Sequence, residues 1–109
     1  MKEIIAQREI FALSPQGEKK KFRIFLDKPY QVDNVSWACP IKIEGLYKEL
    51  PDVIGHDSWQ ALGLAMGLVH QLLRNYQGDG GKLYWGEDGD EMSLNDLFPQ
   101  LYIGTNRKK

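Results

Sequence analysis

Only one stretch of this 109-residue chain repeats its apolar residues at helical spacing, and that restriction does most to limit the fold. From Ser58 to Tyr76, Ala61, Leu62, Ala65, Met66, Leu68, Val69, Leu72, Leu73 and Tyr76 fall on one broad face. The spacing predicts a helix over about 58–77. Asp57 stands at its N-cap position, with Gln60 three residues on as in a capping box. Gly78-Asp79-Gly80-Gly81 supplies the glycine stop. A lone amphipathic helix has to bury its apolar face against another layer, so the rest of the chain must provide a sheet.

The first third reads as that sheet. Over 2–13, Ile4, Ala6, Ile10 and Ala12 share one face while Ile5, Phe11 and Leu13 share the other. Ser14-Pro15-Gln16-Gly17 is a turn, and the following run over 20–27 sets Phe22, Ile24 and Leu26 against Lys21, Arg23 and Phe25. The strongest period-2 signal lies in 34–44, where Val35, Trp37, Cys39, Ile41 and Ile43 alternate with Ser36, Ala38, Pro40, Lys42 and Glu44. Pro40 has no N–H to donate, which predicts an edge position or a bulge there. Residues 27–34, with Pro29, and 46–56, with Pro51 and Gly55, read as connectors.

After the helix, 82–94 reads as a short hairpin turning at Asp88-Gly89. Asn95 to Phe98 suits a helical turn, Leu101 to Ile103 a final edge strand, and 104–109 a tail. There are no repeats and no low-complexity linker, so residues 1–109 read as one domain. The expected architecture is α+β: a two-layer sandwich with an antiparallel sheet of about four to five strands packed against one main helix.

Composition excludes several functions. Fourteen Lys and Arg against fifteen Asp and Glu leave a net charge of −1, not the basic excess of a general nucleic-acid binder. No run of about 18 apolar residues offers a membrane span, and Met1 to Arg8 lacks the apolar core of a signal peptide. A cytoplasmic location is therefore expected. The single cysteine permits neither an intramolecular disulfide nor a Cys-based zinc cage.

Few residues suggest chemistry. Cys39 with His56 or His70 has the composition of a nucleophile and base, and a pocket near Cys39, His56 and Asp57 would suit a small enzyme or ligand-binding protein. Against this, Cys39 lies between Trp37 and Ile41 on a core face, where a thiol acts as a small hydrophobe. No catalytic set, metal site or cofactor is expected. Gly78-Asp79-Gly80-Gly81 follows a helix instead of opening one, the wrong end for holding a phosphate. Glu87 to Glu91 lacks the ligand spacing of a calcium loop. Gly63 and Gly67 form a small-x-x-x-small pair on the narrow helical stripe with His70, Gln71 and Arg74. That pair suits either a homodimer contact or close packing by a neighbouring segment.

The charge is unevenly spread. Residues 1–48 carry nine Lys and Arg against six Asp and Glu, whereas residues 49–109 carry five against nine. From Leu83 to Asn106 there is no Lys or Arg, while Glu87, Asp88, Asp90, Glu91 and Asp96 sit close to Tyr84 and Trp85. These seven residues are the expected partner-binding set, an acidic hairpin with aromatics that can steer a basic surface. A merely solvated turn would have a similar composition.

Trp37-Ala38-Cys39-Pro40-Ile41-Lys42-Ile43-Glu44-Gly45 and Gly55-His56-Asp57-Ser58-Trp59-Gln60-Ala61-Leu62 resemble two motifs of a family of small bacterial proteins, a domain of unknown function. The family's strand reads W-x-C-x-I-x-I-x-G and its helix start G-x-D-S-x-Q-A-L. The resemblance covers most of residues 4 to 86; it implies a sheet-plus-helix fold and a bacterial or phage origin, and carries no catalytic or binding residue with it. The functional expectation therefore rests on the hairpin. It is a small non-enzymatic protein-binding module, such as an immunity or inhibitor protein meeting a basic partner, with the small enzyme and the homodimeric scaffold as alternatives.

Overall fold

A computed structural model describes residues 2–98. Its elements are β1 (Ile4–Leu13), β2 (Lys19–Asp27), β3 (Tyr30–Asp33), β4 (Ser36–Cys39), β5 (Ile41–Glu44), β6 (Val53–Gly55), α1 (Ser58–Gly78), β7 (Lys82–Tyr84) and α2 (Leu94–Leu97). The class is α+β, with antiparallel strands and one main helix. The strands form two sheets: a four-stranded one in the order β5-β2-β1-β7 and a three-stranded one in the order β3-β4-β6. The expected edge strand at Leu101–Ile103 and the tail at 104–109 lie outside the described residues.

The turn between β1 and β2 is built by Ser14. Its carbonyl accepts from the Gly17 N–H at 2.8 Å, and its Oγ accepts from the Gln16 and Glu18 N–H groups at 3.2 and 3.0 Å. Gly17, at φ 90°, takes the left-handed conformation that the turn requires. The resulting register pairs Ile10 with Phe22 and Arg8 with Ile24. Phe22, Ile24 and Leu26 are thereby buried on the face turned to α1, together with Ile10 and Ala12.

The stretch over 34–44 divides at Pro40. Its carbonyl accepts from the Asp27 N–H at 3.0 Å, while β4 on one side joins the second sheet and β5 on the other pairs with β2. Cys39, Ile41 and Ile43 keep one buried face across the break, and Trp37 is half-buried beside it. Val35 departs from the expected pattern and is 68% exposed. It sits in the β3–β4 turn, where its N–H donates to Asp33 Oδ1 at 2.9 Å. The two connectors contain strands of their own, β3 and β6, each formed by pairing with β4.

α1 closes the core through Ala61, Ala65, Val69 and Leu73, all buried. Its first turn rests on Gly55, where a Cβ would lie 2.5 Å from the Ala61 backbone nitrogen. Asp57 caps the helix by accepting from the Gln60 N–H at 2.7 Å, and Gln60 Oε1 in turn accepts from the His56 N–H at 2.7 Å. The far end is a Schellman stop: Gly81 N–H donates to Tyr76 O and Gly80 N–H to Gln77 O, both at 3.0 Å, with Gly80 at φ 104°.

Asp27 fastens the sheet junction. Its carboxylate accepts from the N–H groups of Glu3 at 2.6 Å, Lys28 at 3.0 Å and Lys2 at 3.2 Å. Burial raises the carboxyl's pKa, but the amides of Lys28, Glu3 and Lys2 outweigh that effect and hold it below its ordinary 3.8. A depressed carboxyl contributes stability above its unfolded pKa and loses it as pH falls through the folded value. Asp27→Asn is therefore expected to cost about 1–3 kcal/mol at neutral pH, and denaturant melts between about pH 2 and 4 should show a flatter acid limb than the parent. Gly55→Ala, which forces a Cβ into helix backbone, should lower stability by about 1–3 kcal/mol in the same melts. An unchanged midpoint would mean that α1 does not rest on β6 in this way.

Candidate acidic and aromatic surface

Anchoring of the acidic hairpin begins at β7, which pairs antiparallel with the end of β1: Phe11 opposite Tyr84, Ala12 opposite Leu83 and Leu13 opposite Lys82. The return arm is held by the Met92 N–H on Leu83 O at 2.7 Å and the Trp85 N–H on Asp90 O at 3.1 Å, with a single bridge between Tyr84 and Glu91. The turn itself runs Gly86-Glu87-Asp88-Gly89, closed by the Gly89 N–H on Gly86 O at 3.1 Å. Gly89 thus fills the last position of the turn and keeps a negative φ. Buried Leu83, Met92 and Leu94 tie the hairpin into the core below.

Glu87, Asp88, Asp90 and Glu91 are all exposed on this hairpin, and none forms an ion pair with another described residue. Asp96 is also exposed, but it belongs to α2 and not to the hairpin. Tyr84 is half-buried in the sheet, and Trp85 is 36% exposed with the Arg8 guanidinium 4.9 Å from its ring centroid. Two neighbouring features were not foreseen. Lys19, Lys20 and Lys21 face Glu87 and Asp88 across a groove of about 530 Å³, so one flank of the acidic turn looks onto the chain's own lysines. A second groove, of about 540 Å³ on the sheet face away from α1, joins Trp85 to Phe11 and Phe25 and to Arg8 and Arg23. The cross-strand register alone, with Phe11 opposite Tyr84 and Gln7 opposite Phe25, would have revealed this aromatic floor.

Cys39, His56 and Asp57 are not brought together as a reactive set. Cys39 is fully buried, and its thiol donates to Asp27 O at 3.6 Å. Burial pushes the thiol pKa up, and the carboxylates of Asp52 and Asp27 push it in the same direction, away from thiolate. In the β4–β6 ladder its partner is Val53, with His56 beyond the end of β6 and exposed. Asp57 spends its carboxylate on the helix cap. His70 packs edge-to-face on Phe98, ring centroids 4.8 Å apart, instead of pointing freely to water. Among the described residues no three His, Cys, Asp or Glu side chains gather into a metal-binding group, and no helix is long and apolar enough to cross a membrane.

Gly63 and Gly67 have open space where their Cβ atoms would stand, so no described segment of the chain packs on these two glycines. Trp59, one helical turn before Gly63, is 86% exposed.

Comparison with known proteins places the chain only at the level of a family. No curated protein and no solved structure matches it. Residues 6–95 match a family described as a domain of unknown function, and that span takes in both sheets, α1 and the acidic hairpin. The chain belongs to this family, DUF6968.

Proposed function

We propose that this chain is a non-enzymatic cytoplasmic protein-binding module of bacterial origin, of the immunity or inhibitor kind, whose acidic hairpin docks on a basic partner surface. The observation that carries this reading is the state of Glu87, Asp88, Asp90 and Glu91. They are four exposed carboxylates on a hairpin fixed to the sheet, with no ion pair to another described residue. Fixing the charges before the encounter lowers the ordering cost of binding, and their shared sign steers an opposite surface toward them. Trp85, with Tyr84 beside it, supplies an aromatic anchor of the kind that dominates interfaces. The lysines across the Glu87–Asp88 flank disfavour approach from that side, so Asp90 and Glu91 carry the charge contact.

Pull-down with the tagged protein at about 0.1 and 0.5 M salt tests this, because the screening length falls from roughly 10 Å to under half of that. The retained partner should be a basic protein. Its recovery should drop at least about tenfold at the higher salt, and again when Glu87→Gln, Asp88→Asn, Asp90→Asn and Glu91→Gln are combined. A partner held equally well in all conditions would overturn the hairpin reading.

A second reading, self-association through α1, is favoured by Trp59 and the open space over Gly63 and Gly67. Two mid-helix glycines cost about 1 kcal/mol each relative to alanine, and no described segment offsets that cost by packing on them. Sedimentation equilibrium should then show a dimer that Trp59→Ala or Gly63→Glu dissociates. A monomer at all working concentrations would dispose of this reading.

A further inference from the structure

On the face of the four-stranded sheet turned away from α1, side chains stand in ordered cross-strand rows. Phe11 is opposite Lys21 on β2 and opposite Tyr84 on β7, and Tyr84 bridges to Glu91 on the return arm of the hairpin. Directly opposed residues of antiparallel strands share a face. One row therefore runs Lys21, Phe11, Tyr84, Glu91: a cation, two rings and an anion. Both rings are half-buried, whereas Lys21 and Glu91 are exposed. The two grooves on this side each include Phe11 in their lining. Charge follows the same order across the sheet. On the β2–β5 side Lys19, Lys21, Arg23 and Lys42 outnumber Glu44, and Lys21 and Arg23 also share Glu9 of β1 at 3.5 and 3.3 Å. On the hairpin side four carboxylates face the single cation of Lys82.

A partner that covers this whole face has to be bipolar in the same way. A uniformly basic surface is repelled by the β2–β5 side, and a uniformly acidic one by the hairpin. A second copy of the chain has the required polarity. We propose that two copies pair through this face about a two-fold axis parallel to the strands, each hairpin docking on the β2–β5 side of the other. That axis reverses the strand order of one sheet over the other, so Glu91 of each copy meets the partner's Lys21 and Phe11 meets the partner's Tyr84. A two-fold running across the strands would set hairpin on hairpin, acid against acid. The strand-parallel axis also keeps the strands of the two sheets aligned, a standard way for sheets to pack face to face. The paired strands offer roughly 400 Å² per copy, and the hairpins bring the total near the roughly 1,000 Å² at which specific interfaces begin. Such a dimer is weak and reversible. It rests on the reading of the hairpin as a docking element, and it names the occupant of that element when no basic protein is present.

Sedimentation equilibrium on the full chain at about 10 to 500 μM, in about 0.05 and 0.5 M salt, tests the pairing. The parent should be a reversible dimer whose dissociation constant rises at least about tenfold at the higher salt. Lys21→Glu and Glu91→Lys should each weaken the dimer at least about tenfold, because each sets like charges together at both copies of the contact. An equimolar mixture of the two variants should associate again, as should the double variant alone, since opposed charges then meet once more. Isotope-filtered NOEs in the parent should join the Phe11 ring of one copy to the Tyr84 ring of the other, and they decide the matter if a variant fails to fold. A dimer indifferent to both variants would overturn the proposal, and so would intermolecular NOEs at Trp59 in place of Phe11, which assign the contact to α1. A monomer throughout would also overturn it, while leaving the capture of a basic protein to be decided by its own pull-down.

Discussion

The two sheets are held in one body by the arrangement around Asp27, the last residue of β2. Its N–H donates to Pro40 O, its carbonyl receives the Cys39 thiol, and its carboxylate gathers the amides of Lys2, Glu3 and Lys28. Pro40 cannot extend a ladder through its own nitrogen, so the chain changes sheets there, and the Asp27 N–H donates to the carbonyl that the change leaves over. β4 and β5 are consequently consecutive in sequence but members of different sheets. α1 lies against β4 and β6, and its buried alanines and aliphatics share a core with β1, β2 and β5. Loss of the Asp27 carboxylate would loosen the start of β1 and the sheet junction together.

Small residues set the depth of that core. Ala61 and Ala65 let the first half of α1 approach the second sheet, and Gly55 removes the last Cβ in the way. The larger Val69 and Leu73 fill the space over the first sheet, where Phe22 meets Tyr76 edge-to-face with ring centroids 5.1 Å apart. The G-x-D-S-x-Q-A-L stretch is thus one structural device. It contains a glycine for close approach, an aspartate that caps, a glutamine that braces the preceding amide and an alanine that enters the core. All four roles are structural, which is why this motif by itself says nothing about a ligand.

The parts legible in the sequence were those fixed by local chemistry repeated over many residues. The Ser14–Gly17 turn, the buried face of β2, the Asp57 cap and the glycine stop all follow from residue type and spacing. β3 and β6 were not legible, because three or four residues carry no measurable period and their strand character comes from pairing with β4. The period-2 alternation counted from Val35 starts one residue later in the structure, after a turn set by Asp33. The acidic hairpin was visible as composition. Its lysine neighbours were not, since Lys19 to Lys21 stand more than sixty residues earlier, and it takes the pairing of β1 with β2 on one side and β7 on the other to bring them alongside.

The three tryptophans have ended up in three different surroundings. Trp37 is half-buried against the core, Trp85 lies under an arginine at the hairpin, and Trp59 stands almost wholly in water at the head of α1. The molecule therefore carries three built-in optical reporters, one for the interior, one for the hairpin surface and one for the helix flank. An emission spectrum resolved by single Trp→Phe replacements would locate a contact on this protein without any added label.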